Sequence, residues 1–126
     1  MKEENIRTEM VLGKGSTEKL NNKTVAIFGV GGVGGHACEA LARAGVGNFV
    51  LVDNDTVSLS NINRQVIALH STVGKDKVEV MKERILDINP DAKVETIKKF
   101  FLPENSNEFD FLTVIVFKCK SLVVFE

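Results

Sequence analysis

The apolar run Val25-Ala26-Ile27-Phe28 empties directly into Gly29-x-Gly31-x-x-Gly34, and this junction leaves the chain few folds to choose from. A short run of Val, Ile and Phe bounded by Lys23 and a glycine reads as a buried strand, and the residues after Gly34 read as a helix. Strand, tight glycine turn and helix N-terminus, in that order, are what a nucleotide-phosphate cradle requires. Gly29 would permit the sharp turn, Gly31 would let backbone approach a phosphate, and Gly34 would let helix and strand pack closely; Gly32 lies in the same turn. Unpaired N–H groups and the helix dipole then face the anion. The same residues also suit an ordinary strand-to-helix connection, so the remainder of the chain has to decide.

The spacing predicts a helix over about Val33–Ala44, with Val33, Ala37, Ala40, Leu41 and Ala44 on one stripe and Gly45 as its stop. Phe49-Val50-Leu51-Val52 reads as a second strand ending at Asp53, so 25–53 forms a βαβ unit with parallel strands. Asp53 falls nineteen residues after Gly34, where an acidic side chain would meet a ribose hydroxyl. A helix is predicted from about Lys75 to Asn89, with Val78, Met81, Ile85 and Ile88 inward and Pro90 ending it. A third strand is predicted near Lys93–Ile97, and strand-like runs at Phe111–Phe117 and 122–125. Residues 3–21 read as a polar helical lead-in broken at Gly13-Lys14-Gly15, with Ser16 capping a short helix through Leu20. The expected architecture is one α/β domain over 1–126, a Rossmann-like parallel sheet flanked by helices. In it, 1–22 is the lead-in and 111–126 a divergent tail.

With 126 residues the chain suits a single modest core, and its formal net charge of −1 offers no case for autonomous nucleic-acid binding. The polar start and the absence of a long apolar run argue against a signal peptide or membrane partner, and a cytoplasmic location is expected. Cys38 and Cys119 have no metal-ligand spacing, and no metal-ligating set is nominated. Cys38 is expected to be a small buried residue rather than a reactive thiol. His36 and His70 give little support for a catalytic dyad.

The polar segment after the second strand narrows the chemistry. A dehydrogenase has no obvious use for Asn61, Asn63, Arg64 and Gln65 close together, whereas an enzyme handling a triphosphate does. Arg64 can offer a planar bidentate donor to phosphate oxygens, and Lys77, near a helix start, a second cation. Both also suit a solvated surface, and spacing leaves the two readings level. Asp55 either caps the loop or assists a metal, with capping preferred.

Four segments resemble the ubiquitin-activating-like superfamily. They are Val25–Gly34, Leu51–Asn61 (Leu-Val-Asp-Asn-Asp-Thr-Val-Ser-Leu-Ser-Asn), Asn63-Arg64-Gln65 and Thr72-Val73-Gly74-Lys75-Asp76-Lys77. Its bacterial members adenylate carboxylates for thiamine, molybdopterin or modified-tRNA synthesis. Ala42–Gly47, Asn61-Ile62-Asn63-Arg64-Gln65 and Val78–Ile85 are most similar to the branch of tRNA threonylcarbamoyladenosine dehydratases. Sulfur-carrier-activating members more often carry Asn-Leu-Gln-Arg-Gln at that place. The resemblance runs from about Arg7 to Asp110.

It implies ATP and Mg²⁺ as cofactors, a tRNA substrate, a homodimer and a sulfur-relay protein as a further partner. Gly29, Gly31, Gly32 and Gly34 would border the phosphates and Asp53 would hold the ribose. Asp55, Asn61, Arg64, Gln65 and Lys77 would line the site, with Arg64 and Lys77 stabilising the triphosphate. Arg7 matches an N-terminal arginine that reaches into the partner subunit's ATP site. One departure stands out: the family continues after Asp110 into Asp-x-x-Asp, whose last aspartate binds Mg²⁺. Here Phe111-Leu112-Thr113-Val114-Ile115-Val116-Phe117 follows, with no carboxylate before Glu126. The chain is therefore expected to be a truncated or frame-altered form of a longer enzyme. The readings that follow are adenylation with cyclising dehydration, an inactive nucleotide-binding fragment, or activation of a sulfur carrier; a nicotinamide oxidoreductase is disfavoured.

Overall fold

A computed structural model of the chain describes residues 2–99, together with the strand backbones 113–116 and 122–125. Two short helices lead in, α1 (Ile6–Leu12) and α2 (Ser16–Asn21). The nucleotide-type unit follows as β1 (Thr24–Phe28), α3 (Gly32–Ala44) and β2 (Asn48–Val52). Then come α4 (Lys77–Ile88), β3 (Lys93–Ile97), β4 (Thr113–Val116) and β5 (Leu122–Phe125). The elements predicted within residues 2–99 are all present, with ends moved by one or two residues, and strands stand within the 111–117 and 122–125 runs.

The sheet order is β3-β2-β1-β5-β4. β1 pairs with β2 in parallel, Thr24 opposite Asn48 and Phe28 opposite Val52, and β2 pairs with β3 in parallel, Asn48 opposite Lys93. This three-stranded parallel core with its helices is Rossmann-like, as the βαβ spacing requires. β5 runs antiparallel to β1 and β4 antiparallel to β5, so the sheet as a whole is mixed. The remainder of the expected strand Phe111–Phe117, and Cys119, lie outside the described residues.

The main core holds Val25, Ile27, Phe49 and Leu51 from the strands and Val78, Met81 and Ile85 from α4. Alternation along β1 and β2 puts Ala26, Phe28, Val50 and Val52 in a second buried cluster, packed with Ile97. The inner face of α3 is a correction. Val33 is 43% exposed and Ala40 is exposed, while Gly34, Gly35, Cys38 and Ala42 are buried. Small residues let α3 lie close to the segment between β2 and α4: a Cβ on Gly35 would come within 3.3 Å of Val66 Cγ1. Ala37 and Leu41 of the predicted stripe do pack against the core, but hydrophobic periodicity, which weighs Val above Gly, misplaces Val33 and Ala40 and overlooks the glycines. Cys38 is buried as expected, and burial pushes its thiol pKa far up.

Ser16 is the second correction. It is the first helical residue of α2 rather than its cap, its hydroxyl is buried without a partner, and Gly15 precedes it with φ +82°. The exposed α2 amides are met instead by the Glu9 carboxylate from α1.

Candidate nucleotide site at the carboxyl ends of the strands

Parallel strands of the βαβ unit finish together at Phe28, Val52 and Ile97, and the polar segments that follow them form one crevice rim. Gly29 turns the chain there with φ +91°, a conformation a Cβ would strain, while its N–H donates to Val52 O at 2.8 Å. Gly31 precedes α3, and Gly32 has open space where a Cβ would point. A Cβ on Gly31 would stand 3.2 Å from the Gln65 amide, so the segment after β2 folds back over the glycine turn.

Asp53 joins these parts. One carboxylate oxygen accepts from Val30 N at 2.8 Å, the other from Asp55 N at 2.9 Å, and its own N–H reaches Ile97 O at 3.2 Å. The group expected at a ribose thus also fastens the glycine turn to the end of β2. Its oxygens keep lone pairs for a hydroxyl donor.

Lys77 sits at the first turn of α4 and is only 6% exposed. Its N–H donates to Asp55 O at 3.1 Å, and its ammonium lies 3.8 Å from Asp55 Oδ2. A buried ammonium whose carboxylate partner is that distant, and itself largely exposed, is under-compensated and suited to a second anion. Asp55 is tied within the loop to Asp53 through its N–H and to Lys77 through its carbonyl and carboxylate.

Asn61 is buried, and its Oδ1 accepts from Ser58 N at 2.9 Å, so this amide braces the loop. Arg64 is exposed; its Nη1 donates to Ser60 O at 3.0 Å and to Asn63 Oδ1 at 2.8 Å. One edge of the fork is thereby fixed, and Nη2 and Nε are bonded to nothing among the described residues. Gln65 Oε1 and Asn54 Oδ1 are buried acceptors without partners among the described residues. Asn54 is a site neighbour that sequence reasoning passed over, although its place between Asp53 and Asp55 could have flagged it. Lys98 was missed too: its ammonium pairs with Asp76 Oδ1 at 2.7 Å, tying the end of β3 to the start of α4.

The structure therefore brings Gly29, Gly31, Asp53, Asp55, Gln65 and Lys77 together, with Asn61 and Arg64 on the same loop. Arg7 stands apart. The lead-in is moored at the opposite end of the sheet, through an ion pair of Lys2 with Asp91, just before β3, and through Thr17 against Gly45, just before β2. A strand of five residues separates that end from the glycine turn by roughly 17 Å. A polar cleft of about 900 Å³ also lies there, lined by Thr17, Arg43, Gly45, Arg84 and Asn89 among others, and it contains none of the nominated residues. Among the described residues no group of three or more His, Cys, Asp or Glu could hold a metal, and no helix is long and apolar enough to cross a membrane.

The ThiF family matches residues 3–120. The tRNA threonylcarbamoyladenosine dehydratase of Bacillus subtilis (strain 168) is 53% identical over 103 residues, covering 82% of this chain and 41% of the relative. The Escherichia coli (strain K12) dehydratase is 40% identical over 102 residues, covering 81% and 38%. A crystal structure of the E. coli dehydratase in complex with ATP superposes with a TM-score of 0.81 at 39% identity, over 83% of this chain and 43% of that one. The chain spans about two fifths of the length of the curated relatives it matches.

Proposed function

The chain belongs to the ThiF family, and from that premise we propose that it forms the nucleotide-binding part of an ATP-dependent carboxylate-adenylating enzyme. The reaction we assign is the cyclising dehydration of threonylcarbamoyladenosine in tRNA. The observation that carries the reading is Lys77, a buried ammonium linked through Asp55 and Asp53 to the glycine turn at Val30 N. That continuous set of contacts matches a triphosphate whose ribose lies at Asp53.

A substrate carboxylate oxygen attacks the α-phosphorus of ATP, the bond to the β-phosphate oxygen breaks, and pyrophosphate leaves. Arg64 and Lys77 stabilise charge on the phosphates as it shifts toward the leaving group. In the dehydratase reading, a nucleophile of the same modified side chain then displaces AMP from the acyl-adenylate. The ring closes, and the carboxylate oxygen departs with AMP. Arg7 serves the site of a second copy, which makes the working form a homodimer. A sulfur-relay protein is a further partner, and the cytoplasm is the expected compartment. Among the described residues no group of three or more His, Cys, Asp or Glu could hold Mg²⁺ by itself, and no step is routed through the metal.

A second reading, nucleotide binding without chemistry, is favoured by the absence of any carboxylate between Asp110 and Glu126. Sulfur-carrier activation would show as pyrophosphate exchange that depends on a carrier's C-terminal glycine.

Calorimetric titration of the chain with ATP and Mg²⁺, beside Arg64→Ala and an NAD control, tests the site. Binding of ATP but not NAD, weakened about tenfold by the substitution, is expected. A folded chain that ignores ATP would overturn the proposal.

A further inference from the structure

α1 lies against the body with little buried surface. None of its residues is buried, Met10, Val11 and Leu12 are 79%, 83% and 57% exposed, and Arg7 is exposed with no hydrogen bond or ion pair among the described residues. A seven-residue helix without buried apolar contact has little reason to hold one orientation by itself. Lys2, ahead of α1, meets Asp91, and from within α1 the tie to the body is Glu9. The carboxylate accepts from Gly15 N at 2.8 Å, from Thr17 N at 3.1 Å and from the Thr17 hydroxyl. These donors are the unpaired amides at the start of α2, which has no side-chain cap of its own. Thr17 is one of three buried polar residues among those described and packs against Gly45 at the end of α3. The path from α1 to the body thus runs Glu9, Thr17, Gly45. The bonds from Thr17 and Gly15 hold the Glu9 carboxyl below its usual pKa, in keeping with an anion that stays ionised there.

We propose that Glu9 is a positioning residue for nucleotide binding: it locks α1 onto the body of one copy so that Arg7 is presented at a fixed place to the nucleotide crevice of a second copy. This rests on the reading of Arg7 given above. The same chain's crevice is out of reach, since the arm is moored at the starting ends of the strands. A guanidinium on a loose helix would lose orientation on every encounter, and its contribution to anion binding would fall with the fraction of time it is aligned.

The test is a double-mutant cycle on the full chain, titrated with ATP by calorimetry at a concentration where it self-associates. Arg7→Ala is expected to weaken ATP about tenfold, Glu9→Ala about fivefold, and the pair no more than Arg7→Ala alone. Glu9→Gln keeps one acceptor oxygen and is expected between wild type and Glu9→Ala, which guards against a trivial folding defect. Amide exchange at Gly15 and Thr17 should speed up in Glu9→Ala while β1 and β2 keep their protection. If Arg7→Ala weakens ATP but Glu9→Ala changes it by less than twofold, or if the two losses multiply, the positioning role is overturned and the Arg7 reading stands. If Arg7→Ala has no effect, the Arg7 reading fails and this inference fails with it.

Discussion

The two ends of the parallel strands treat charge differently. Where the strands start, Glu39 accepts from Arg43 at 2.9 Å and from Arg84 at 3.0 Å, Lys2 meets Asp91, and Asn48 reaches the Lys23 carbonyl at 3.1 Å. Where they finish, Lys77 is buried with its carboxylate 3.8 Å away, Arg64 uses one nitrogen, and the acceptors of Asn54 and Gln65 have none. Ser16 Oγ and Arg84 Nε are the orphans at the first end. Polar groups that pair with each other make scaffold; polar groups left incomplete inside a fold mark where a ligand is expected. Unpaired buried atoms fall at both ends among the described residues, so what distinguishes the finishing end is Lys77, a buried ammonium with only a distant carboxylate.

The sharpest way to break the comparison is to strike the scaffold end where it has no slack. Gly47 lies where a Cβ would stand 2.0 Å from Asn21 O, so Gly47→Ala is expected to cost more than about 3 kcal/mol or to prevent folding. A denaturant melt close to wild type would show that this end is softer than its contacts imply. Lys77→Met attacks the other end. It should weaken ATP by about thirtyfold while leaving Tm unchanged or raised, because it removes an under-paired buried charge. A large loss of Tm with intact ATP binding would move Lys77 into the scaffold. Gly29→Ala forces an L-residue to φ +91° and should cost about 1–2 kcal/mol in urea unfolding. The smallest effect is at Glu39, whose carboxyl is held below its usual range by Arg43 and Arg84. A depressed carboxylate adds stability that is present above its unfolded pKa and fades as pH falls through the folded one. Glu39→Gln should therefore cost about 0.5 kcal/mol at pH 7 and nothing measurable at strongly acidic pH, read from paired melts.

The strand order of the βαβ unit, the turn at Gly29 and the placement of Asp53 were readable because each follows from local spacing. Four things were not, for separate reasons. The buried face of α3 is set by Gly34, Gly35, Cys38 and Ala42, whose value is closeness rather than apolar area. The cap of α2 comes from Glu9, on another helix, where local rules look to the adjacent Ser16. Asn61, marked for ligand contact, has its carbonyl committed to Ser58 N, a bond that no residue type announces in advance. The antiparallel placing of β5 beside β1 depends on pairing across about a hundred residues and leaves no local trace.

Asp53 carries one more consequence. Its two oxygens already grip Val30 N and Asp55 N, and through Asp55 they touch Lys77. A sugar hydroxyl arriving at that carboxylate would therefore also stiffen the phosphate cradle, and a phosphate arriving first would set the carboxylate for the sugar. By the reciprocity of linked equilibria each event favours the other by the same factor. Adenosine and tripolyphosphate offered together should bind more tightly than either separately, and recognition of the nucleotide becomes a property of the joint rather than of its two halves.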